Sequence, residues 1–119
     1  MTQPLTLRTR TTTAGPVIEL AGELDHHTAP EVRDTLLGLP LRPGQQLVID
    51  LGGLTFCDST GITVLIAARN HTLAADAGIA LAAVPGHLDR ILRIIGLDQV
   101  FPTHPTAQDA EDAWPTVSD

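Results

Sequence analysis

A serine at position 59 lies in the segment whose residue types could do chemistry. The segment 57–61, CDSTG, places this hydroxyl after an aspartate and ahead of a glycine. An apolar run typical of a buried strand precedes it and a helical pattern follows, so Ser59 falls at a strand-to-helix junction. Backbone N–H groups without a partner and the positive end of the helix dipole lie at such a junction. Ser59 can therefore be a plain N-cap, or it can carry a phosphate that the same N–H groups would receive.

The same junction is also similar to a nucleophile elbow, in which the serine of a G-x-S-x-G sequence attacks an ester. Cys57 stands where that pattern has its first glycine, and the candidate bases are His87 and His104. The chain, with 119 residues, is short for an α/β-hydrolase. We therefore predict that the protein is not an enzyme, and keep a small serine hydrolase as an alternative.

Two other groups of reactive side chains give no site. His26 and His27 are adjacent, so we expect their rings to point apart on extended backbone, and no further histidine or cysteine lies at ligand spacing. Cys57 ends an apolar strand, which favours a buried, inert thiol. The sequence predicts neither a metal nor a cofactor.

Composition excludes several classes of function. The net charge is −7, all seven basic residues are arginine, and the three aromatic side chains offer little stacking surface, so we expect no direct nucleic-acid binding. One cysteine fits a reducing cytosol, residues 1–4 show no signal peptide, and no apolar run approaches the ~20 residues of a membrane span. We predict a cytoplasmic protein that does not bind membranes.

The elements of the N-terminal half are predicted from hydrophobic periodicity. Residues 5–13 form an edge strand, and residues 17–20 a second strand antiparallel to it. Thr28 and Glu31 have the spacing of a capping box, opening a helix that ends near Pro40. The apolar face of this helix is predicted to contain Val32, Leu36 and Leu37.

The C-terminal half repeats the alternation of strand and helix. Residues 47–51 read as a central strand that Gly52-Gly53 breaks, after which Phe56 and Cys57 point inward. A helix then runs from segment 58–61 to Gly78, and a strand follows over 79–84. The buried stripe of the helix that begins at 58–61 is predicted to consist of Ile62, Leu65, Ile66 and Leu73. The next helix is amphipathic, carries Leu88, Ile91, Leu92 and Ile95 on one face, and is closed by Gly96. A short strand at Val100-Phe101 and a weak helix or tail from His104 complete the prediction.

This order predicts an α/β fold in one domain over residues 1–119. The two strand–helix–strand crossovers give parallel neighbours, so the sheet is mixed and has four or five strands, with the helices mainly on one face. The core spans about 5–113, and 114–119 form a tail.

Two separated motifs together resemble a STAS domain, and more narrowly the anti-sigma factor antagonists. The first is GELDHHTA at 22–29, and the second is FCDSTGI at 56–62. The resemblance covers roughly residues 5–113, and the combination is specific, although either motif alone would be weak. The sequence departs from the family pattern at Thr63, where a second glycine is frequent, and at Cys57, where Met, Leu or Ile is usual.

The resemblance implies a function. Such an antagonist binds an anti-sigma factor that is itself an ATP-binding serine kinase, and so frees the sigma factor. The kinase phosphorylates the serine after the motif aspartate, here Ser59, which abolishes binding, and a serine phosphatase reverses it. The implied partner-binding residues are Glu23, Asp25, His26, Thr28, Asp58, Thr60, Gly61 and Ile62. STAS domains also serve as soluble subunits of lipid-trafficking ABC systems and as stressosome-type scaffolds, which remain alternatives.

Overall fold

The computed structural model describes residues 5–115 as a mixed β-sheet with helices on both faces. Residues 1–4, where we looked for a signal peptide, and the end of the tail, 116–119, lie outside the described part. The strands are β1 (Thr6–Thr12), β2 (Gly15–Leu24), β3 (Gln46–Cys57), β4 (Gly78–Ala82) and β5 (Thr103–His104). The helices are α1 (Ala29–Leu37), α2 (Ser59–Ala74), α3 (Gly86–Ile94) and α4 (Ala107–Ala113).

The strands lie in the order β1-β2-β3-β4-β5. β1 is antiparallel to β2, because a tight turn joins them, and every later pair is parallel, because a helix connects its strands. The predicted fold class is confirmed. Within residues 5–115, no helix has the length and hydrophobicity that crossing a bilayer requires.

Each face of the sheet carries its own core. The larger core packs aliphatic side chains of β2, β3 and β4 against α1, α2 and α3, with Phe101 at its edge. The smaller core lies on the opposite face, where Ala107 and Ala110 of α4 cover Val17 and Val48. The sequence predicted a weak helix or a tail from His104; the structure has the helix, α4, and it is the helix that lies on the opposite face.

β3 differs from its prediction because Gly52-Gly53 does not break it. The strand continues for 12 residues to Cys57, and the register with β2 shifts where Ala21 pairs with Gly53. A Cβ at Gly53 would lie 2.6 Å from the Cβ of Ala21, so glycine allows the close approach of the two strands there. The continuation carries β3 to the Ser59 junction, and Phe56 near its end is 46% exposed rather than inward.

Several helix ends and faces also differ from the sequence prediction. α2 ends at Ala74 rather than Gly78, which begins β4, and the last strand is at Thr103–His104 rather than Val100-Phe101. The buried face of α2 is rotated from the predicted stripe and includes Val64, Leu65, Ala68 and Thr72. Four aliphatic side chains predicted to be buried are exposed: Leu37, Ile66, Leu73 and Ile95. The closure of α3 by Gly96 is confirmed by its left-handed φ of 80°.

Candidate functional site

Ser59 is the first residue of α2, and the residue before it is the cap. Asp58 has extended backbone (φ −98°, ψ −171°), and its carboxylate accepts a hydrogen bond of 3.1 Å from the amide of Gly61. The prediction that Ser59 could be the N-cap is therefore wrong, because Asp58 already fills that role. Ser59 is exposed, and among the described residues its hydroxyl has no hydrogen-bond partner.

The other hydroxyls of the first turn are less available than that of Ser59. Thr63 is exposed, but its hydroxyl donates to the backbone oxygen of Ser59 at 3.0 Å. Thr60 is half-buried. Gly61 is buried, and a Cβ there would lie 2.7 Å from the Sγ of Cys57 and 2.8 Å from the Cγ of Leu24. Glycine at this position therefore lets the start of α2 pack against the end of β2.

The end of β2 brings the 22–29 segment beside the start of α2. Leu24 pairs with Cys57, and the amide of Asp58 donates to the oxygen of Leu24 at 3.3 Å. Glu23 pairs with Phe56 one step earlier in the ladder. The two motifs of the sequence, which lie about thirty residues apart, therefore form one surface in the fold.

Asp25 and Thr28 bond to their own loop rather than forming the predicted capping box. The Thr28 hydroxyl donates to the oxygen of Glu23 at 2.8 Å and accepts from the amide of Asp25 at 3.0 Å. The Asp25 carboxylate accepts from the amides of His27 (2.9 Å) and Thr28 (3.1 Å). The capping-box prediction is wrong, because Thr28 has helical backbone and its hydroxyl points back to β2.

These bonds set the protonation of Asp25. Desolvation raises the pKa of its carboxyl, but the hydrogen bonds from the amides of Thr28 and His27 and from the Thr28 hydroxyl outweigh it, and the pKa is lowered. Asp25 therefore stays ionised and holds the loop that carries Glu23 and His26.

The histidine pair is exposed, and the expectation that its rings point apart is wrong. The loop is a turn rather than extended backbone, and the ring centroids of His26 and His27 are 3.9 Å apart. No group of three or more His, Cys, Asp or Glu suited to a metal occurs in the part of the chain that the structure describes.

Cys57 is buried beneath the site, as expected. Burial, with a smaller contribution from the charge of Asp58, raises the pKa of its thiol to about 11. The thiol is therefore protonated at neutral pH, and it packs in the main core as a small apolar group.

An apolar groove adjoins Ser59. It has a volume of about 440 Å³ and lies between the first turns of α2 and the outer side of α3. Of the described residues that line it, none is a histidine, so neither His87 nor His104 is placed as a base for Ser59. The lining side chains include Ile62 and Thr63 of α2 and Ile91 and Ile95 of the α3 segment.

Sequence reasoning missed the contribution of α3 to this surface. Ile91 and Ile95 were predicted as core from their spacing, and Ile95 is 52% exposed. Spacing alone cannot show that a second helix leaves one side of α3 uncovered. The surface combines a free hydroxyl, an aliphatic groove and the carboxylates of Glu23, Asp25 and Asp58.

Comparison with known proteins agrees with this arrangement. The sequence model of the family described as "Mlab, STAS domain" matches residues 7–103. An anti-sigma-B factor antagonist of Listeria monocytogenes is 32% identical over 84 residues, which are 71% of this chain and 74% of that protein. An anti-sigma F factor antagonist of Paenibacillus polymyxa is 29% identical over 89 residues, covering 74% of this chain and 76% of the relative.

The fold is shared with solved structures. An anti-sigma factor antagonist from Mycobacterium paratuberculosis superimposes with a TM-score of 0.78 at 28% identity, over 96% of this chain and 98% of that one. The likeness extends over nearly the whole of both chains, so it includes the strand-to-helix junction that positions Ser59.

Proposed function

Since this chain belongs to the STAS domain family, we propose that it is an anti-sigma factor antagonist controlled by phosphorylation of Ser59. The unphosphorylated form binds an anti-sigma factor that is a serine kinase, and this binding frees the sigma factor. The kinase transfers phosphate to Ser59, the complex separates, and a serine phosphatase restores the binding form. The protein acts by binding, without a catalytic step or cofactor of its own, in the cytoplasm.

The observation that carries the proposal is the position of the Ser59 hydroxyl. The hydroxyl is exposed at the first residue of α2. It does not cap that helix, because the side chain of Asp58 is the cap. A kinase can therefore reach the hydroxyl without unfolding the helix. A phosphate at this position would also lie at the positive end of the α2 dipole, which favours a negative charge.

The docking surface follows from the residues around that hydroxyl. Glu23, His26, Asp58 and Ile62 offer side chains to a partner, whereas Asp25, Thr28 and Gly61 position the two loops. Thr60 lies at the side of the first turn. Because the groove lined by Ile62, Ile91 and Ile95 is continuous with Ser59, we include it and assign it to an aliphatic side chain of the kinase. Arginine or lysine of the kinase would meet the carboxylates around it.

Phosphorylation would oppose this contact without refolding the protein. A phosphoserine carries about −1.5 to −2 charges at neutral pH. Placed between the carboxylates and an apolar groove, that charge adds like-charge repulsion and must be desolvated on docking. Burying an unpaired charge in an interface costs about 2–5 kcal/mol, which is a loss of affinity of roughly 30-fold to several thousand-fold.

The test is incubation with each serine kinase of the anti-sigma type from the source organism and ATP, followed by mapping of the phosphosite. We expect phosphate on Ser59, none on Ser59→Ala, and an unchanged yield on the matched variant Thr63→Ala, which removes the other exposed hydroxyl of the α2 N-terminal turns. Phosphate mainly on Thr60 or Thr63 would contradict the assignment of the site.

Binding measurements test the switch itself. Ser59→Ala should bind the kinase about as tightly as the parent, and Ser59→Asp should bind at least tenfold more weakly while remaining folded. Stable capture of an ABC transporter ATPase in place of a kinase would favour the lipid-trafficking alternative. Ester hydrolysis that Ser59→Ala abolishes would show an enzyme instead.

A further inference from the structure

The outer face of α2 carries an uncharged stripe that begins at Ser59. Residues three or four positions apart share one side of a helix, and five residues of α2 at this spacing are all exposed. We call them the α2 stripe. They are Ser59, Thr63, Ile66, Asn70 and Leu73.

This stripe lacks the charges that keep a helix face in water. α2 has 16 residues, of which only Arg69 is charged, and Arg69 lies beside the stripe. By contrast, α3 and α4 are shorter and carry three charged residues each. Ile66 is 37% exposed and Leu73 is 53% exposed, and Leu37 at the end of the neighbouring α1 is 43% exposed. An uncharged helix face that exposes large aliphatic side chains beside those of a neighbouring helix is a candidate for cover by another surface.

The centre and the two ends of the stripe match when it is reversed. Ile66 lies seven residues from Ser59 and seven from Leu73. A two-fold axis through Ile66 therefore places Ile66 against Ile66 of a second copy, and Ser59 against Leu73 of that copy. Two helices related in this way are antiparallel, so their dipoles oppose each other favourably.

The charges around the stripe favour the same antiparallel orientation. The end near Ser59 carries the carboxylates of Glu23, Asp25, Glu31 and Asp58. The other end carries arginine: Arg69 lies on the last turns of α2, and Arg42 lies in the loop whose Gly44 amide donates to the oxygen of Asp76 at 3.0 Å. The acidic residues described at this end are Asp76 and, on the opposite face of the sheet, Glu111 and Asp112 of α4. A reversed second copy therefore brings an acidic end to an arginine-bearing end, whereas a parallel copy would bring the two acidic ends together.

We propose that a second copy of this chain covers the α2 stripe, in an antiparallel two-fold dimer centred on Ile66. One helix pair buries less surface than a standard interface, so the dimer is weak and forms only at high protein concentration. In the dimer Leu73 of one copy lies over Ser59 of the other, and self-association excludes a kinase from Ser59. This last consequence rests on the proposed function, but the dimer itself does not.

The dimer is tested on the full chain alone, with no partner present. Sedimentation velocity from about 10 µM to about 1 mM should show the mass rising from 12.6 kDa toward twice that value. Ile66→Glu and Leu73→Glu should remain folded, because both positions are exposed, and should stay monomeric over that range. Val100→Glu is the matched control, since Val100 is 36% exposed, close to the 37% of Ile66, but lies outside α2; it should associate like the parent.

Disulfide trapping tests the axis directly. Ile66→Cys should cross-link to itself under mild oxidation at least tenfold faster than Gln108→Cys, which places a thiol on the exposed side of α4 across the sheet. Cys57 does not interfere, because it is buried. A parent that stays monomeric at ~1 mM overturns the proposal. So does association that Ile66→Glu leaves unchanged, or cross-linking at 66 no faster than at 108. Failure to find a kinase partner would instead count against the proposed function alone.

Discussion

Asp58 and Ser59 are neighbours with different physical roles. Asp58 bonds the amide of Gly61 and so stabilises the folded helix, whereas the Ser59 hydroxyl has no partner among the described residues. Aspartate and serine are about equally good N-caps, so composition could not decide between them. The backbone decides, because Asp58 has the extended conformation of a cap and Ser59 is already helical.

Asp58→Ala should lower the free energy of unfolding by about 0.5–2 kcal/mol, because it removes the cap. Ser59→Ala should change it by only a few tenths of a kcal/mol, because no bond is lost and alanine is a good helix former. Urea denaturation of both variants measures the difference. Asp58→Asn is the control, since asparagine caps as well as aspartate and should retain most of the stability. A larger loss in Ser59→Ala than in Asp58→Ala would show that the cap is assigned to the wrong residue.

Asp25 gives stability a dependence on pH. Its pKa is lowered in the folded protein by the hydrogen bonds of its loop. A depressed carboxyl pKa contributes stability above the unfolded pKa of ~3.9, and that contribution disappears as pH falls through the lower, folded value. Asp25→Asn should therefore melt below the parent at pH 7, and the gap should narrow in melts below pH 4. A difference in melting temperature that stays constant across this pH range would mean that the charge of Asp25 does not stabilise its loop.

At the residue scale, the two motifs that the sequence singled out do lie together, but their hydrogen bonds differ from those predicted. The residue types at 57–61 and 22–29 pointed to this site because the two motifs together are specific, although each alone is weak. The close approach of the His26 and His27 rings and the hydrogen bond from Thr28 to Glu23 could not be predicted, because both depend on a turn whose backbone angles the residue types leave open. Thr28 and Glu31 have the spacing of a capping box, yet the nearer oxygen of Glu23 accepts the Thr28 hydroxyl.

At the scale of elements, periodicity predicted the order of strands and helices but not which side of a helix stays uncovered. α1, α2 and α3 pack against one face of the sheet, and Leu73 and Ile95 of the α2 and α3 segments fit an apolar period although both are exposed. β3 was predicted to be short because two glycines usually interrupt a strand, whereas here the close approach of Ala21 requires one of them. The local sequence pattern does not show how closely two strands approach each other.

The C-terminal segment shows an element held by one close contact. The indole N–H of Trp114 donates to the oxygen of Gly44 at 2.9 Å, and a Cβ at Gly78 would lie 2.4 Å from the Cη2 of Trp114. Gly78 therefore provides the space in which the ring lies at the start of β4. The contact joins the end of the described chain to the edge of the sheet opposite Ser59.

Gly78→Ala should destabilise the parent and should destabilise Trp114→Ala much less, because the clash exists only with the indole. The coupling between the two positions should be about 1–2 kcal/mol in a double-mutant cycle measured by denaturation. Gly86→Ala is a control, since a Cβ there would contact nothing within 4 Å. Equal costs of Gly78→Ala in both backgrounds would indicate that the ring moves aside freely.

At the scale of the whole molecule, charge is arranged unevenly on a protein of net charge −7. Glu23, Asp25 and Asp58 lie at the end where we propose that a partner docks, and α4 carries a second acidic group on the opposite face of the sheet. Only charges within about 8–10 Å of an interface act strongly on a partner at physiological salt. The position of each carboxylate therefore matters more than the total.

Association with the proposed kinase should be accelerated by the carboxylates near Ser59 and not by those of α4. Raising salt from about 0.05 M to about 0.5 M should slow association by roughly tenfold, because screening removes the attraction between unlike charges. Dissociation should change far less, since it depends mainly on contacts already made. Glu23→Gln and Asp112→Asn each remove one negative charge, so the two variants have the same net charge and differ only in position. Stopped-flow binding should show slower association for Glu23→Gln and a rate near that of the parent for Asp112→Asn. Equal slowing by both variants would mean that net charge alone governs the encounter, and the acidic end of the molecule would then have no special part in finding the partner.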